Sequence, residues 1–201
     1  MIYALYEDMS RCTPEEVQRL LLLVPEEQKA EALRFKHTFG QFTALKSYLM
    51  LKELLLLNDL VDGDDPLRFV LNAHGKPSLS DHPHIHFNIS HCPKAIAVAV
   101  DNVPIGVDVE RFVNPSDSML RYCMNDAEME EVRQAILPKQ TFAALWTKKE
   151  AYFKLRGTGI TKELREILTS PHPDVRLTTE IYSEAGFAFT IAETTSKEGE
   201  S

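Results

Sequence analysis

The chain has 201 residues, of which 44% are apolar, and a net charge of −8. This length allows one sizeable core or two small halves, and the acidic balance argues against general nucleic-acid binding. The leucine runs are too short to span a membrane, and three cysteines that lie far apart, without a CxxC pair, indicate a reduced, cytoplasmic protein.

Hydrophobic periodicity and turn residues predict alternating blocks of helices and strands. In the first half we predict a strand, three helices and three strands, at residues 2–6, 13–24, 25–35, 41–60, 67–72, 84–90 and 95–100. In the second half we predict a strand, two helices and two strands, at residues 105–110, 125–137, 140–156, 175–182 and 187–193.

Local capping signals support three of these helices. Thr13 is expected to be the N-cap of the first helix, with Pro14 at position N1 and Glu16 completing a capping box. Asn125 and Glu128 form a second capping box, and Gly157 is expected to end the helix over 140–156.

The order of elements predicts an α+β fold with mainly antiparallel sheets and packed helices. We expect two similar lobes, related by a pseudo-twofold axis, that form one compact unit. The predicted boundaries are 1–102 for the N-terminal lobe and 103–201 for the C-terminal lobe, and the polar tail after residue 193 should fray.

The stretch VPIGVDVE, residues 103–110, places two carboxylates in an apolar run. Residues two apart in a strand share one face, so Asp108 and Glu110 point to the same place. Because like charges held close repel, a cation is expected nearby.

The helix over 140–156 contributes a third acid. Trp146, Glu150 and Lys154 are four residues apart and line one side of it. Trp146, Lys149, Glu150 and Phe153 also follow the spacing of a core-facing stripe. By itself, the Glu150–Lys154 pair is more typical of an ordinary surface pair.

Taken together, three acids and a lysine are suited to magnesium and phosphate chemistry. Magnesium prefers oxygen ligands and is commonly held by a few carboxylates and substrate phosphates. A lysine would neutralise a departing phosphate. The sequence contains no GxxxxGK[ST] loop.

Four segments in order resemble the phosphopantetheinyl transferases. IGVDVE and, forty residues later, WTKKEAYFK are similar to the paired signature of this family. HGKPSL and FNISHC resemble elements of its larger, two-lobed, surfactin-synthetase-activating branch, and MNDAEMEEV resembles the acidic helix opening between the two signatures. The resemblance covers roughly residues 29–160.

The resemblance implies an activity. The family transfers the 4'-phosphopantetheine arm of coenzyme A to a serine of an apo acyl or peptidyl carrier protein and releases adenosine 3',5'-bisphosphate. A holo-[acyl-carrier-protein] synthase reaction by a cytoplasmic monomer, with Mg²⁺ as cofactor and an acidic carrier as partner, is therefore expected.

The resemblance also implies residue roles. Asp108, Glu110 and Glu150 would hold magnesium, and Glu150 would also accept the proton of the carrier serine. Lys154 would stabilise the leaving group. The nucleotide end of coenzyme A would be contacted by Lys76, Ser90 and His91.

The sequence departs from the family pattern at two places. Cys92 stands where a serine is usual, and a D-x-x-R element is missing from the first lobe. Lys29, Arg34, Lys36 or Lys46 could supply the missing cation, and Arg34 fits best by alignment of its RF pair.

Two other functions fit the same residues. A magnesium-dependent nucleotide pyrophosphohydrolase would use the same carboxylates, and a coenzyme A-binding module would need neither Glu150 nor Lys154. For the transferase, the basic island expected to dock an acidic carrier comprises Lys148, Lys149, Lys154, Arg156, Lys162 and Arg165, of which Lys154 should turn inward.

Overall fold

The computed structural model describes residues 1–63 and 66–195. These residues form six α-helices and eight β-strands, together with short 3₁₀ turns at residues 9–11 and 162–165. The helices are α1 (Pro14–Leu21), α2 (Glu26–Leu33), α3 (Thr38–Leu57), α4 (Asp117–Cys123), α5 (Asp126–Gln134) and α6 (Pro138–Arg156). The strands are β1 (Ile2–Tyr6), β2 (Phe69–Leu71), β3 (Pro77–Leu79), β4 (His86–Cys92), β5 (Ala95–Asp101), β6 (Ile105–Arg111), β7 (Val175–Tyr182) and β8 (Phe187–Thr194).

The first half of the chain forms an antiparallel sheet of order β1-β5-β4. The long helix α3 packs against it and buries Phe42, Leu45 and Leu51 in a core shared with Ile96 and Val98. A separate hairpin, β2–β3, lies between α3 and β4 in sequence.

The second half forms an antiparallel sheet of order β6-β8-β7, with α6 packed against it. In each half of the chain, the last strand is the central strand of the sheet. It pairs with the first strand of that half on one side and with the strand that precedes it in sequence on the other. The predicted α+β class and antiparallel pairing are therefore confirmed. The pseudo-twofold relation and the lobe boundary at 102/103 stay predictions.

Strand β5 explains how the two sheets meet. Ile96, Val98 and Val100 face the α3 side, whereas Ala95, Ala97 and Ala99 pack in a second core with β6 and β8. A strand buried on both faces is continuously apolar, and its alanines leave room for the other sheet to come close.

Two polar side chains on β4 connect the sheets across this contact. Asn88 Oδ1 accepts a hydrogen bond from the Val107 N–H at 2.8 Å, and Ser90 Oγ accepts one from the Val109 N–H at 3.3 Å. Main-chain groups of β6 are thus satisfied by side chains of the first half, which holds Asp108 beside β4.

The local capping predictions are largely confirmed. The Asn125–Glu128 capping box is complete, and Gly157 ends α6 in the left-handed conformation with a φ of 65°. Thr13 caps α1, but the Glu16 carboxylate binds Arg11 and Arg19 instead of completing the box.

Most predicted elements are present with shifted ends. Helix α3 begins at Thr38, three residues before the predicted start, and β2 keeps only the central residues of 67–72. Strand β3 was not predicted, because its first residue Pro77 and the nearby Gly75 are turn signals. Residues 196–201, the end of the predicted tail, lie outside the described residues.

No helix within residues 1–63 and 66–195 combines the length and the apolar character needed to cross a membrane.

Candidate active site

Asp108, on β6, is the centre of a buried polar network. Its Oδ1 accepts hydrogen bonds from Ser90 Oγ at 2.8 Å and from Lys154 Nζ at 2.6 Å. Its Oδ2 is buried and has no hydrogen-bond partner among the described residues. An unpartnered buried carboxylate oxygen is costly, and a bound cation would satisfy it.

Glu110 and Glu150 are the two further acids of this site. Burial, followed by the negative charge of Asp108, raises the pKa of Glu110 to about 7. The same two causes raise the pKa of Glu150, while the positive charge of Lys154 opposes the rise. At both glutamates, burial and the neighbouring negative charge thus disfavour the ionised form.

Helix α6 brings Glu150 and Lys154 to β6 through a close contact at Gly106. A Cβ atom on Gly106 would lie 2.1 Å from Ala151 O and 2.3 Å from Leu155 N. Only glycine allows this approach. The IGVDVE motif therefore supplies both the carboxylates and the gap into which α6 fits.

Ser90 belongs to the Asp108 network. It donates to Asp108 Oδ1 and accepts from Val109 N–H and from Lys154 Nζ, the last at 2.9 Å. One donor and two acceptor positions are all that a hydroxyl offers, so Ser90 is fully hydrogen-bonded within the protein.

His91, the next residue, projects to the opposite face of β4. Its ring packs edge-on against Phe39 with the centroids 5.7 Å apart. Desolvation and the charge of Lys154 lower the pKa of His91, although Asp108 opposes them. These surroundings therefore favour the neutral imidazole.

The ammonium of Lys76 is bound by main-chain carbonyls. Its ammonium donates to the carbonyl oxygens of Ile105, Lys154 and Leu155 at 3.1, 2.6 and 3.1 Å. Burial lowers the pKa of Lys76 to about 8.

Two cavities adjoin the network. One, of about 300 Å³, is lined by Lys76, Pro77, Asn88, Glu150 and Lys154, among others. The other, of about 510 Å³, is lined by Arg34, Pro77 and His91, by Glu27 and Glu31 of α2, and by mostly apolar side chains of α3, β2 and β4. Because Pro77 lines both, the two cavities flank one point of the β2–β3 hairpin.

Arg34, the cation favoured by the family alignment, lines the larger cavity and pairs with Glu31 at 2.9 Å. The other candidate cations do not line this cavity, or their ammonium groups already have partners. Lys29 pairs with Glu26, and the Lys46 ammonium lies 4.3 Å above the Tyr6 ring.

Lys149 was wrongly placed on the docking surface. It is fully buried, pairs with Glu128 Oε2 at 2.7 Å, and donates to the carbonyls of Leu164 and Arg165, both at 2.9 Å. Its place in the core-facing stripe was the signal for burial, and the acid that compensates it comes from the α5 capping box. The basic island is thus smaller than expected.

Within the described ranges, no group of three or more His, Cys, Asp or Glu side chains is arranged to hold a metal ion as it stands. The free Asp108 Oδ2 and the raised pKa values of both glutamates nevertheless fit an oxygen-liganded cation.

Comparison with known proteins finds matches to one group of enzymes. The profile of the 4'-phosphopantetheinyl transferase superfamily matches residues 104–198, which include Asp108, Glu110, Glu150 and Lys154. The chain is 28% identical to the 4'-phosphopantetheinyl transferase Sfp of Bacillus subtilis over 182 residues, which is 90% of this chain and 80% of Sfp.

Shorter matches extend to other bacteria. The chain is 34% identical to the transferase HetI of a Nostoc species over 124 residues, covering 56% of this chain and 52% of HetI. It is 36% identical to AcpT of Salmonella typhimurium over 99 residues, covering 44% and 48%. Over most of its length the chain is therefore similar to 4'-phosphopantetheinyl transferases, with the long match to Sfp.

Proposed function

We propose that this protein transfers the 4'-phosphopantetheine arm of coenzyme A to a serine of an apo-carrier protein. The observation that carries the proposal is the Ser90–Asp108–Lys154 network, which lies with Glu110 and Glu150 beside a cleft in a chain similar to these transferases. A holo-[acyl-carrier-protein] synthase reaction is the narrower form of the proposal.

The reaction exchanges a phosphoanhydride bond of coenzyme A for a phosphoester bond to serine. The serine oxygen forms a bond to the phosphorus that carries the pantetheine, and the bond from that phosphorus to the bridging pyrophosphate oxygen breaks. Adenosine 3',5'-bisphosphate leaves with the bond electrons. The serine proton passes to Glu150, directly or through water, since a carboxylate with a raised pKa is a better base.

Lys154 would provide positive charge as the leaving phosphate develops its own negative charge. In the free protein its ammonium is held by Asp108 and Ser90 and is about one-third exposed. It therefore reaches both the network and the cleft that it lines.

Asp108, Glu110 and Glu150 would hold Mg²⁺, which supplies Lewis-acid charge to the pyrophosphate when it is bound. The buried free oxygen of Asp108 supports this assignment. It also explains why an apolar strand carries two acids on one face.

For the nucleotide end of coenzyme A, we propose Arg34 and His91 as the principal contacts. Both line the larger cavity. Ser90 and Lys76 remain candidates by resemblance, but their hydrogen-bonding groups are already occupied by the protein.

The partner is proposed to be an acidic carrier that meets a cytoplasmic, monomeric enzyme. The net charge of −8 would slow the approach of an acidic protein. Docking would therefore use the exposed part of the basic island, in which Lys162 and Arg156 are exposed while Lys149 is buried.

The proposal is tested by incubating the protein with coenzyme A, Mg²⁺ and a panel of apo-carriers, read by intact mass. A carrier that gains one phosphopantetheine group supports it. Release of free phosphopantetheine without a carrier adduct would instead identify a pyrophosphohydrolase. Binding of coenzyme A without turnover would identify a binding module.

A further inference from the structure

The end of helix α6 is held by a hairpin of the first half. The last carbonyls of a helix have no partner within it. Here the Lys154 and Leu155 carbonyls accept from Lys76 Nζ, and the Gly157 carbonyl accepts from Asn72 Nδ2 at 3.0 Å. Lys76 and Asn72 thus form a C-terminal cap that comes from about eighty residues upstream.

The turn that presents this cap is organised around Asn72. Its side-chain Oδ1 accepts from the N–H groups of His74 and Lys76, both at 2.9 Å, and its main chain bonds Lys76 and Gly75. Gly75 provides the left-handed backbone with a φ of 83°. The turn is therefore closed on itself, and Lys76 extends from it in a fixed direction.

The helix end fits this turn closely. A Cβ atom on Gly157 would lie 3.1 Å from Lys76 Cδ and 3.2 Å from Asn72 Nδ2. The third Lys76 hydrogen bond goes to Ile105 O, at the start of β6. One ammonium therefore joins the hairpin, the end of α6 and the beginning of the strand that carries Asp108.

This placement fixes Lys154 at two points. Its side chain is held by Asp108 and Ser90, and its main-chain carbonyl by Lys76 at 2.6 Å. Glu150 lies one turn earlier on the same helix. We propose that Lys76, supported by Asn72, is a positioning residue that sets the end of α6, and with it Lys154 and Glu150, against Asp108. The proposal rests on the proposed transferase function and deepens it.

Electrostatics disfavours the alternative role of Lys76 as a phosphate ligand. The C-terminal end of a helix carries partial negative charge, which repels an anion. All three N–H donors of Lys76 are already used by carbonyls. A phosphate would have to take donors from them and leave them unpaired.

The test uses three variants of the full chain. Lys76→Met removes the ammonium and keeps the stem, and Asn72→Ala removes the neutral half of the cap. Arg68→Met, in the same hairpin, removes a cation that pairs only with Asp81 among the described residues and is the control. Amide hydrogen exchange of residues 153–157 is measured without ligand, coenzyme A binding by calorimetry, and transfer by steady-state kinetics.

Lys76→Met and Asn72→Ala should each speed exchange at residues 153–157 by about tenfold or more, because the helix end loses its partners. Both should lower kcat by about tenfold or more while coenzyme A affinity stays within about threefold. Arg68→Met should change neither exchange nor kcat.

A loss of coenzyme A affinity of about tenfold in Lys76→Met, without faster exchange, would identify a phosphate ligand and overturn the proposal. Unchanged exchange in both cap variants would overturn it as well. If Lys76→Met fails to fold, Asn72→Ala decides by the same two readouts. Because exchange is measured without substrates, it tests the cap even if the wild-type protein transfers nothing.

Discussion

At the scale of single residues, the site contains more acidic than basic side chains. Lys154 binds Asp108, with its ammonium 2.6 Å from Asp108 Oδ1, and its positive charge also acts on Glu110 and Glu150. The pKa values of both glutamates are raised, and Oδ2 of Asp108 has no hydrogen-bond partner among the described residues. This imbalance is typical of a functional site rather than of a stabilising ion-pair network.

Asp108→Asn should lower transfer by about 100-fold or more, corresponding to about 2.7 kcal/mol. The amide keeps the Asp108 shape and an acceptor for Ser90 and Lys154, but it is a poor ligand for Mg²⁺. Without metal, the free energy of unfolding should stay within about 1 kcal/mol, because the loss of the ion pair is offset by weaker repulsion of Glu110 and Glu150. Kinetics and denaturant unfolding measure the two effects, and near-normal transfer at saturating Mg²⁺ would refute the metal assignment.

Lys149 illustrates a different role for charge in the same helix. Lys149→Met should lower the free energy of unfolding by about 3–5 kcal/mol, because it leaves the Glu128 carboxylate buried without its partner. The matched control is Lys148→Met, one residue earlier and half-buried, which should cost no more than about 1 kcal/mol.

Chemical denaturation of both variants checks this difference. The double variant Lys149→Met with Glu128→Gln should recover part of the loss, because it removes the unpaired charge. Equal stability of Lys149→Met and the wild-type protein would show that this lysine is not buried.

At the scale of secondary-structure elements, the site depends on how closely α6 lies on β6. The signature glycine of β6 sets that distance, since its missing Cβ is replaced by main-chain atoms of α6. Backbone cannot move aside as a flexible side chain can. Any residue larger than glycine must therefore shift the helix that carries Glu150 and Lys154.

Gly106→Ala should lower stability by about 1–3 kcal/mol or more, and transfer should fall by a larger factor than the lost folded fraction explains. Gly63→Ala is the control, because among the described residues a Cβ there would meet only Leu56 Cδ2 at 4.0 Å. Thermal unfolding and single-turnover transfer are measured on both. A fully active Gly106→Ala protein would contradict the observed packing.

The elements themselves could be predicted from local patterns. Alternation in β6 placed Asp108 and Glu110 on one face, the Asn125 capping box marked the start of α5, and Gly157 marked the end of α6. These signals lie within a few residues of each other, so the sequence contains them directly.

The partners of the site residues could not be predicted in the same way. Ser90 reaches Asp108 across 18 residues, Lys149 reaches Glu128 across 21, and Lys76 reaches the Lys154 carbonyl across 78. Such pairs depend on how the sheets and helices pack. The family resemblance identified Ser90 and Lys76 as important, but not the groups that they contact here.

At the scale of the whole molecule, the two sheets with their helices enclose the site from both sides. The first half provides Ser90, His91 and the Lys76 hairpin, and the second half provides the acids and Lys154. On the proposed function, this acidic protein would attract an acidic carrier through the small exposed basic surface near α6.

Lys162→Glu should raise KM for the carrier about fivefold, or about 1 kcal/mol, and leave KM for coenzyme A nearly unchanged. Lys139→Glu makes the same change in net charge at the exposed start of α6 and should have little effect. The difference should shrink as salt rises above physiological strength. Equal carrier KM values for both variants at low salt would place docking elsewhere, with the exposed apolar side chains Met119 and Tyr122 of α4 as the next surface to test.

The most direct test of the central claim is a single-turnover assay of the wild-type protein, Glu150→Gln and Lys154→Met with coenzyme A, Mg²⁺ and an apo-carrier. Holo-carrier is read by intact mass and adenosine bisphosphate by chromatography, and coenzyme A affinity is measured separately. We expect equal amounts of both products from the wild-type protein. Both variants should transfer about 100-fold more slowly while binding coenzyme A within about threefold of wild type. Transfer by either variant at close to the wild-type rate would contradict the assignment of Glu150 and Lys154 as the catalytic pair.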